Sequence, residues 1–350
     1  GTSVRPGTLE QVIEYYKDQP ETLKEMVGEN PYELKNIIEH WVLNPNPDLR
    51  IIPTDSIVIT IDKEAVKRSG MMIAADSIPD VMHLSLKGKR AVYKSEMMMY
   101  EMLAQCNWER PLYVAITVGK DNYGNLGDYF VREGLADRIT PFNTKKSGRT
   151  VDTEKMYDNL MNRFRYGGLD NPDFYIDETI SRMSYTHRRI FSQLATQLLR
   201  EGKKEKAQNL LKRAEEVLPP TTLPHTFAGG SLDLARAWIQ VDNKKQAEAI
   251  ALPVAKNACE YIDWYLSLSD SKLEREEQEC MYYLYQLHRA SEVLREATSS
   301  QAAGMVQKLD FYNKVLQGRL YGTQNIYQQM GTDVSNMMVA NPEASEEEGE

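Results

Sequence analysis

The 350-residue chain has little cysteine and no long apolar run. Its three cysteines, Cys106, Cys259 and Cys280, form no CxxC pair, so they indicate neither a disulfide framework nor a zinc site. Buried free thiols are the favoured interpretation, with a Cys259–Cys280 bridge as the alternative. No stretch approaches the roughly 18 apolar residues of a membrane span, and we find no signal peptide. Because the chain begins with Gly-Thr rather than Met, we expect a piece of a longer protein whose missing N-terminal part would supply any membrane anchor.

The common motifs of catalysis and cofactor binding are also missing. Neither GxxxxGK[ST] nor GxGxxG occurs, so no phosphate-binding loop is predicted. There is no HExxH and no GxSxG, and no cysteine lies beside a histidine. The five histidines are scattered: His40, His83, His187, His225 and His288. We therefore predict no catalytic residue, no metal site and no cofactor.

The charge balance narrows the class of partner. Acidic residues exceed basic ones, 51 to 42, which gives a formal net charge of −9 at pH 7. This argues against nucleic acid or an anionic membrane surface as the main partner. The hydrophobic content of 41% and charged content of 27% are ordinary for a globular protein, and the length suffices for two domains with cores of their own.

The clearest pattern lies in residues 189–219, which read as two amphipathic helices joined by a tight turn. It follows the tetratricopeptide repeat (TPR) order: a bulky apolar residue, Leu-Ala, glycine at the turn, two further alanines and a closing proline. The markers are Phe191, Leu194, Ala195, Leu198, Gly202, Ala207, Ala214 and Pro219. Most such repeats are scaffolds or binding surfaces, so the pattern predicts a fold rather than a chemistry.

Further along the chain the same spacing returns. The corresponding markers are Ala235, Trp238, Asp242 and Ala247, with the extra length in the Pro- and Gly-rich loop 219–230. A third helical pair, residues 277–297 and 303–320, keeps the helical period but lacks the Gly and Ala markers. Terminal repeats are often atypical because they cap the stack.

The first half of the chain has a different period. After polar helical residues 1–50, strands are predicted at 56–62, 82–86, 110–119 and 136–142, and helices at 94–108 and 126–135. The strand at 110–119 is the longest of the four strands. Alternating strands and helices predict a small α/β unit with at least one parallel pair, resembling half of a doubly wound domain.

The predicted fold class is therefore α+β and mostly α. An N-terminal helical segment, 1–50, precedes a small α/β (half Rossmann-like) domain, 51–143. A basic hinge leads to an α-helical TPR-like domain, 151–335, and an acidic tail, 336–350, is predicted to be disordered.

One candidate ligand crevice lies in the α/β unit, where the loop after the 110–119 strand meets the end of the preceding helix. The guanidinium of Arg110 is suited to a carboxylate or phosphate, although we favour a structural ion pair at this corner. The candidate residues are Asn107, Trp108, Arg110, Asp121 and Tyr123.

A second candidate site lies on the first helices of the repeats, which line the concave face of such stacks. Positions not needed for packing are Arg189, Ser192, Thr196, Arg200, Arg236 and Gln240. Three arginines on one face of an acidic protein would suit an acidic peptide or a carboxylate terminus, and a solvated helix face is the alternative.

Three stretches also resemble a known family. They read IPTDSIVITIDKEAV, NWERPLYVAITVGKDNYGNLGDYFVREGLADRITPF and LATQLLREGKKEKAQNLLKRAEEVLP. They are similar to the soluble C-terminal part of certain bacterial multi-spanning membrane proteins, which carry a domain of unknown function and are similar to protein O-mannosyltransferases. The resemblance implies a TPR-bearing part that follows a membrane domain and faces the periplasm. The family's membrane helices and acidic catalytic residues are absent here, so no catalytic residue carries over.

The sequence thus predicts a non-catalytic extracytoplasmic module of a membrane glycosyltransferase-like protein, which binds protein or glycan partners. The alternative is a free-standing, cytoplasmic TPR adaptor that binds peptides on its concave helical face. An enzyme acting in the crevice beyond Gly119 has little support.

Overall fold

The computed structural model describes residues 3–28, 30–47 and 50–321. The chain divides into two compact units, Gly1–Asn159 and Leu160–Glu350. Residues 1–50 and 51–143, predicted as separate segments, both fall in the first unit. The predicted acidic tail, 336–350, and the end of the predicted helical domain, 322–335, lie outside the described residues.

The first unit is built from short strands and short helices. Its strands are β1 (Ser3–Pro6), β2 (Ile51–Ile52), β3 (Ser56–Thr60), β4 (Val81–Ser85), β5 (Val92–Tyr93), β6 (Tyr113–Ala115), β7 (Phe130–Arg132) and β8 (Ala136–Ile139). Its helices are α1 (Leu9–Tyr15), α2 (Pro20–Val27), α3 (Leu34–Asn36), α4 (Lys63–Arg68), α5 (Lys94–Gln105), α6 (Thr144–Ser147) and α7 (Thr153–Asp158). Helix α3 continues as a π-helical turn, Ile37–Val42, and α7 as another, Asn159–Arg163; 3-10 turns occupy Lys120–Asn122 and Gly124–Tyr129.

The strands form three small sheets in the described part of the chain. Strand β1 lies between β2, its parallel neighbour, and β5, its antiparallel neighbour. Strands β3 and β4 form an antiparallel pair, and β8 lies antiparallel between β6 and β7. The mixed α+β class is confirmed, but the half of a doubly wound domain with a parallel pair within residues 51–143 is wrong. Strands β7 and β8 are joined by a short turn, so they pair antiparallel, because a parallel pair needs a crossover of a dozen or more residues.

The strand expected at 110–119 is much shorter than predicted. Only Tyr113–Ala115 pairs, because Pro111 has no amide hydrogen to donate to a ladder and a turn follows Ala115. The helix expected at 126–135 is also wrong: a 3-10 turn ends at Tyr129 and β7 follows. Gly124 and Gly127 weaken a helix there, and Phe130 and Val131 favour a strand.

Other strand predictions are confirmed by the β3–β4 pair. Ile57 pairs with Leu84 and Ile59 with Met82, and all four side chains are buried on one face. This is the alternation that the sequence showed. The core beneath this face also includes Leu34, Ile37 and Leu103 from α3, its π-helical extension and α5.

The second unit is helical throughout its described elements. These are α8 (Glu178–Arg200), α9 (Lys204–Val217), α10 (Ser231–Gln240), α11 (Lys244–Ser267), α12 (Asp270–Arg275), α13 (Glu277–Glu296) and α14 (Ala302–Leu316), with a final π-helical turn, Gln317–Tyr321. Helix α8 packs against α9 and α10, α10 against α11 and α13, and α13 against α11 and α14. The helices therefore stack as successive pairs, α8–α9, α10–α11 and α13–α14.

The same kind of turn joins the two helices of each pair. Gly202, Asp242 and Thr298 have positive φ angles of 74°, 66° and 56°. In each case the next residue donates its amide to a carbonyl five residues back: Lys203 to Leu198, Asn243 to Trp238 and Ser299 to Leu294, at 2.8 to 2.9 Å. This bond is characteristic of a Schellman turn at a helix C-terminus. The third pair thus keeps the turn without the glycine on which the sequence analysis relied.

Small residues pack where the helices meet. Ala195, Ala207, Ala235 and Ala247, all repeat markers in the sequence, are completely buried. The absence of a longer side chain lets the helix axes approach closely, as the sequence predicted.

The three cysteines are free and buried, so the predicted free thiols are confirmed and the alternative Cys259–Cys280 bridge is wrong. Burial raises the pKa of the Cys280 thiol to about 12 and also raises that of Cys259. Thiols held in the protonated form are poor nucleophiles. Among the described residues no helix is both long and apolar enough to cross a membrane, and no group of three or more His, Cys, Asp or Glu side chains is placed to hold a metal ion.

Candidate functional site

The first helices of the pairs, α8, α10 and α13, lie side by side. We refer to the surface that they form as the first-helix face. All six residues predicted to bind a partner belong to α8 or α10, two of the three helices of this face.

Two of the six, Ser192 and Thr196, already form hydrogen bonds with backbone carbonyls through their hydroxyl groups. Ser192 is buried, and its hydroxyl lies 2.8 Å from the carbonyl of Arg188 and 3.3 Å from that of Gly230. It therefore contacts the residue before α10 instead of offering a free hydroxyl to a ligand. Thr196 is half-buried and donates its hydroxyl to the Ser192 carbonyl at 2.9 Å.

Arg189 is exposed but already has partners in its own unit. Its guanidinium donates to the Ala228 carbonyl at 3.2 Å and to the Thr186 hydroxyl at 3.1 Å. It thereby ties α8 to the loop before α10. Arg200 and Gln240, at the ends of α8 and α10, are both exposed.

Arg236 faces carboxylates of α13. Its guanidinium lies 3.4 Å from Glu292 and 3.8 Å from Glu296, and Glu292 also accepts a hydrogen bond from Arg289 at 2.9 Å. These carboxylates lower the positive potential that an acidic ligand would need. The three predicted arginines therefore do not form one free cationic surface, and the partner-binding role of the six residues stays a prediction.

Arg188 is the residue of this region that the sequence analysis missed. Its side chain is only 1% exposed, and it donates to the carbonyls of Pro224 at 2.7 Å, Leu218 at 3.2 Å and Leu223. It satisfies carbonyls of the loop that follows α9. Its position on the buried stripe, four residues after Ser184 and three before Phe191, was a signal that could have found it.

Buried His225 and half-buried Glu215 lie close to this arginine. His225 Nε2 is 4.0 Å from Glu215 Oε2. Burial, with a smaller effect from the charge of Arg188, lowers the pKa of His225 to about 4, which outweighs the attraction of the carboxylate at this distance. Burial raises the pKa of Glu215. His225 is therefore a neutral packing residue at neutral pH.

A continuous row of aromatic rings adjoins the first-helix face. In order of contact it runs through Trp264, Tyr265, Tyr283, Tyr282, Phe227 and Tyr285, with centroids 4.7 to 6.1 Å apart. Tyr261 stacks on Tyr283 at 4.2 Å with the ring planes 8° apart. We call these seven residues the aromatic row. They come from α11, α13 and the loop before α10, so only the folded chain brings them together.

In the first unit, Asn107 and Trp108 form a left-handed turn after α5. Their φ angles are 46° and 61°, which side chains other than glycine seldom adopt. The Trp108 ring is buried in the core, whereas Asn107 is exposed and hydrogen-bonds Asp62, the N-cap of α4. This pair fixes a corner of the fold.

The other three crevice residues lie in different surroundings. Arg110 is exposed, and with Trp108 it lines a gap too small for a water molecule. Asp121 is exposed on the 3-10 turn Lys120–Asn122. Tyr123 packs on Phe130 with ring centroids 4.8 Å apart. The ligand role of these residues stays a prediction.

A groove of about 580 Å³ opens elsewhere in the first unit, and none of the five crevice residues lines it. It lies between the loop 75–79, the start of β4 and residues 141–149. Its size is that of a small-molecule site. Its polar groups include Lys146 and Arg149, and Arg149 Nη2 lies 3.3 Å from Asp76 Oδ1 at the rim.

Residues 4–157 match the family model of TMEM260-associated domain 2. The match lies within the first unit and covers less than half of the chain. It includes two of the three stretches on which the resemblance to bacterial membrane proteins rests, and it links this unit to a TMEM260-like family. Searches of curated proteins and of solved structures found no match. The similarity to protein O-mannosyltransferases and the TPR assignment stay predictions.

Proposed function

We propose that this chain is a protein-interaction module whose helical unit binds a segment of a partner protein on the first-helix face and the adjoining aromatic row. The observation that carries the proposal is the stack of helix pairs closed by the same turn. Such stacks leave the side chains of their first helices on an extended surface, which repeat proteins use for binding.

We also infer that the helix pairs are TPR-like repeats. The support for this inference is the TPR order of residues in α8–α9, its partial return in α10–α11, and the recurrence of the left-handed turn residue at Gly202, Asp242 and Thr298. The buried alanines at corresponding positions of the first two pairs add to it.

The proposal also places the module on the extracytoplasmic face of a membrane, as part of a longer glycosyltransferase-like protein. The support for this context is the resemblance of the sequence to soluble parts of bacterial multi-spanning membrane proteins. The match of residues 4–157 to TMEM260-associated domain 2 links the first unit to a TMEM260-like family. A glycan attached to the partner would be a second ligand in that setting. The free-standing cytoplasmic adaptor is the alternative, and it shares the same binding surface.

Site-specific photo-crosslinking in the native cells tests the binding surface. A photoreactive amino acid replaces either Thr196 or Gln240 on the first-helix face, or Lys212, an exposed residue of α9, as the matched control. We expect a discrete crosslinked protein from the first two positions and none from the control. No adduct at either position, or the same adduct at Lys212, would contradict the proposal.

A further inference from the structure

Three rings of the aromatic row are open to solvent. Trp264 is 54% exposed, Tyr261 43% and Tyr282 37%, although all three are in contact with further rings. A cluster of exposed aromatic residues costs solubility, and such patches commonly mark binding sites. The row also draws its rings from three structural elements, so these rings form one connected patch.

Carboxylates border this row. Glu279 is close enough to raise the pKa of Tyr283, Tyr282 and Tyr265, in each case as an addition to the larger effect of burial. Glu276 has the same secondary effect on Tyr265. Within the part of the chain that the structure describes, neither Glu276 nor Glu279 forms an ion pair. The border of the row thus carries two carboxylates that have no ion-pair partner among the described residues.

The tyrosines themselves remain neutral phenols. A tyrosine with its ordinary pKa of about 10 is already protonated at physiological pH, and burial raises the pKa of Tyr282 and Tyr283 further. Tyr283 also hydrogen-bonds Tyr261. A neutral phenol or indole ring presents a negative face that attracts cations. Unpaired carboxylates beside such faces strengthen the attraction.

We propose that the aromatic row, with Glu276 and Glu279 at its border, binds arginine side chains of an extended segment of a partner protein. The inference rests on the proposed function and names its partner class. A guanidinium fits better than an ammonium, because it is flat, stacks on aromatic rings and still donates hydrogen bonds to carboxylates. The acidic residues 343–350 of this chain have the wrong sign of charge to occupy the row.

The charge that a partner would need also differs from what the sequence suggested. The three arginines of α8 and α10 pointed to an acidic ligand, yet Arg236 is paired with Glu292 and Glu296. The unpaired charges that border the aromatic row are Glu276 and Glu279. A basic partner segment therefore matches the charge available on this surface.

Trp264 supplies a selective probe for the test. The chain has four tryptophans, and the other three, Trp41, Trp108 and Trp238, are buried. The full chain is titrated with a labelled peptide in which arginine alternates with serine, while peptide anisotropy and tryptophan emission are both recorded. The control peptide carries citrulline, which keeps the shape and removes the charge.

We expect saturable binding of the arginine peptide with a change in emission, and no binding of the citrulline peptide. Glu279→Gln should weaken binding about fivefold, the upper end for an exposed ion pair, whereas Glu205→Gln, the same change on exposed α9, should not. Trp264→Leu should abolish the emission change and weaken binding seen by anisotropy.

Equal binding of both peptides, an unchanged affinity in Glu279→Gln, or binding that leaves Trp264 emission unaltered would each overturn the inference. If crosslinking at Gln240 captures a partner but the arginine peptide does not bind, the proposed function stands and only the partner class is wrong. If neither is observed, both fail.

Discussion

Arg188 and Arg189 are consecutive residues of α8 whose guanidinium groups lie in opposite surroundings. Arg188 is buried and donates to the carbonyls of Leu218, Leu223 and Pro224. Arg189 is exposed and donates to Ala228, at the other end of the same loop. The two arginines together fasten the loop between α9 and α10, which places the second helix pair on the first.

Removal of Arg188 should be strongly destabilising. In Arg188→Met the three carbonyls lose their donor inside the fold, and each buried polar group left without a partner costs about 1–3 kcal/mol. Urea unfolding, followed by circular dichroism, measures the free energy of unfolding. Arg189→Met, at the exposed neighbour, is the matched control and should cost less than about 1 kcal/mol. Equal losses in the free energy of unfolding would show that buried Arg188 contributes no more to stability than exposed Arg189.

Burial of His225 should make stability depend on pH. The folded chain leaves His225 neutral down to about pH 4, whereas the unfolded chain binds the proton below about 6.5. The unfolded state thus binds more protons between these values, so the free energy of unfolding falls as the pH is lowered from about 6.5 to about 4. The full difference is about 3 kcal/mol at about 1.4 kcal/mol per pKa unit.

The comparison protein for this effect is His225→Asn. It keeps Glu215, whose raised pKa acts with the opposite sign, and removes the histidine contribution. Urea unfolding at pH 7, 6 and 5 should show a smaller fall in the free energy of unfolding for the variant than for the parent. Identical slopes would show that His225 is not held neutral in the folded chain.

The close contact of the helix pairs should not tolerate a larger residue. Ala235 is completely buried in α10, so Ala235→Leu should cost about 1–3 kcal/mol through overpacking. Ala303→Leu, at an exposed position of α14, provides the control and should change stability by less than about 0.5 kcal/mol. The thermal midpoints of the two variants report the difference, and a tolerated leucine at Ala235 would mean that the helices pack less tightly than the structure shows.

The recurring turn predicts opposite effects for two reciprocal substitutions. Thr298 has a φ of 56°, which is strained for a β-branched residue, so Thr298→Gly should stabilise the chain by about 0.5–1 kcal/mol. Gly202→Ala should destabilise it by about 1 kcal/mol, because φ is 74° there. The added Cβ meets no other atom within 4 Å, so it introduces no steric clash. The change at Gly202 therefore isolates the backbone conformation, whereas Thr298→Gly also removes the hydrogen bond from the Thr298 hydroxyl to the Ala297 carbonyl. If both substitutions destabilise by similar amounts, the two turns do not share a left-handed residue.

The helical unit could be predicted because its signals are local. The apolar period, the buried alanines and Gly202 lie close together in the chain, and the helix pairs follow from them. The turn at Thr298 was invisible, because threonine seldom adopts a positive φ. Tertiary packing there overrides the local preference.

The surfaces were harder to predict because they join distant parts of the chain. Arg236 meets Glu292 only after α10 and α13 pack together, and Phe227 meets Tyr282 in the same way. In the first unit, the apolar residues at 110–119 suggested a long strand, but Pro111 and the turn after Ala115 confine the pairing to three residues. A pattern of residue types does not show where a strand stops pairing with its neighbour.

Amide hydrogen exchange tests the central claim, that the helical unit is the binding surface, most directly. Exchange of the full chain is compared with and without the partner that crosslinking at Gln240 recovers. We expect slower exchange in α10, in α13 and in the loop 219–230, with residues 3–159 unchanged. Slower exchange confined to residues 3–159, with α10 and α13 unaffected, would contradict it.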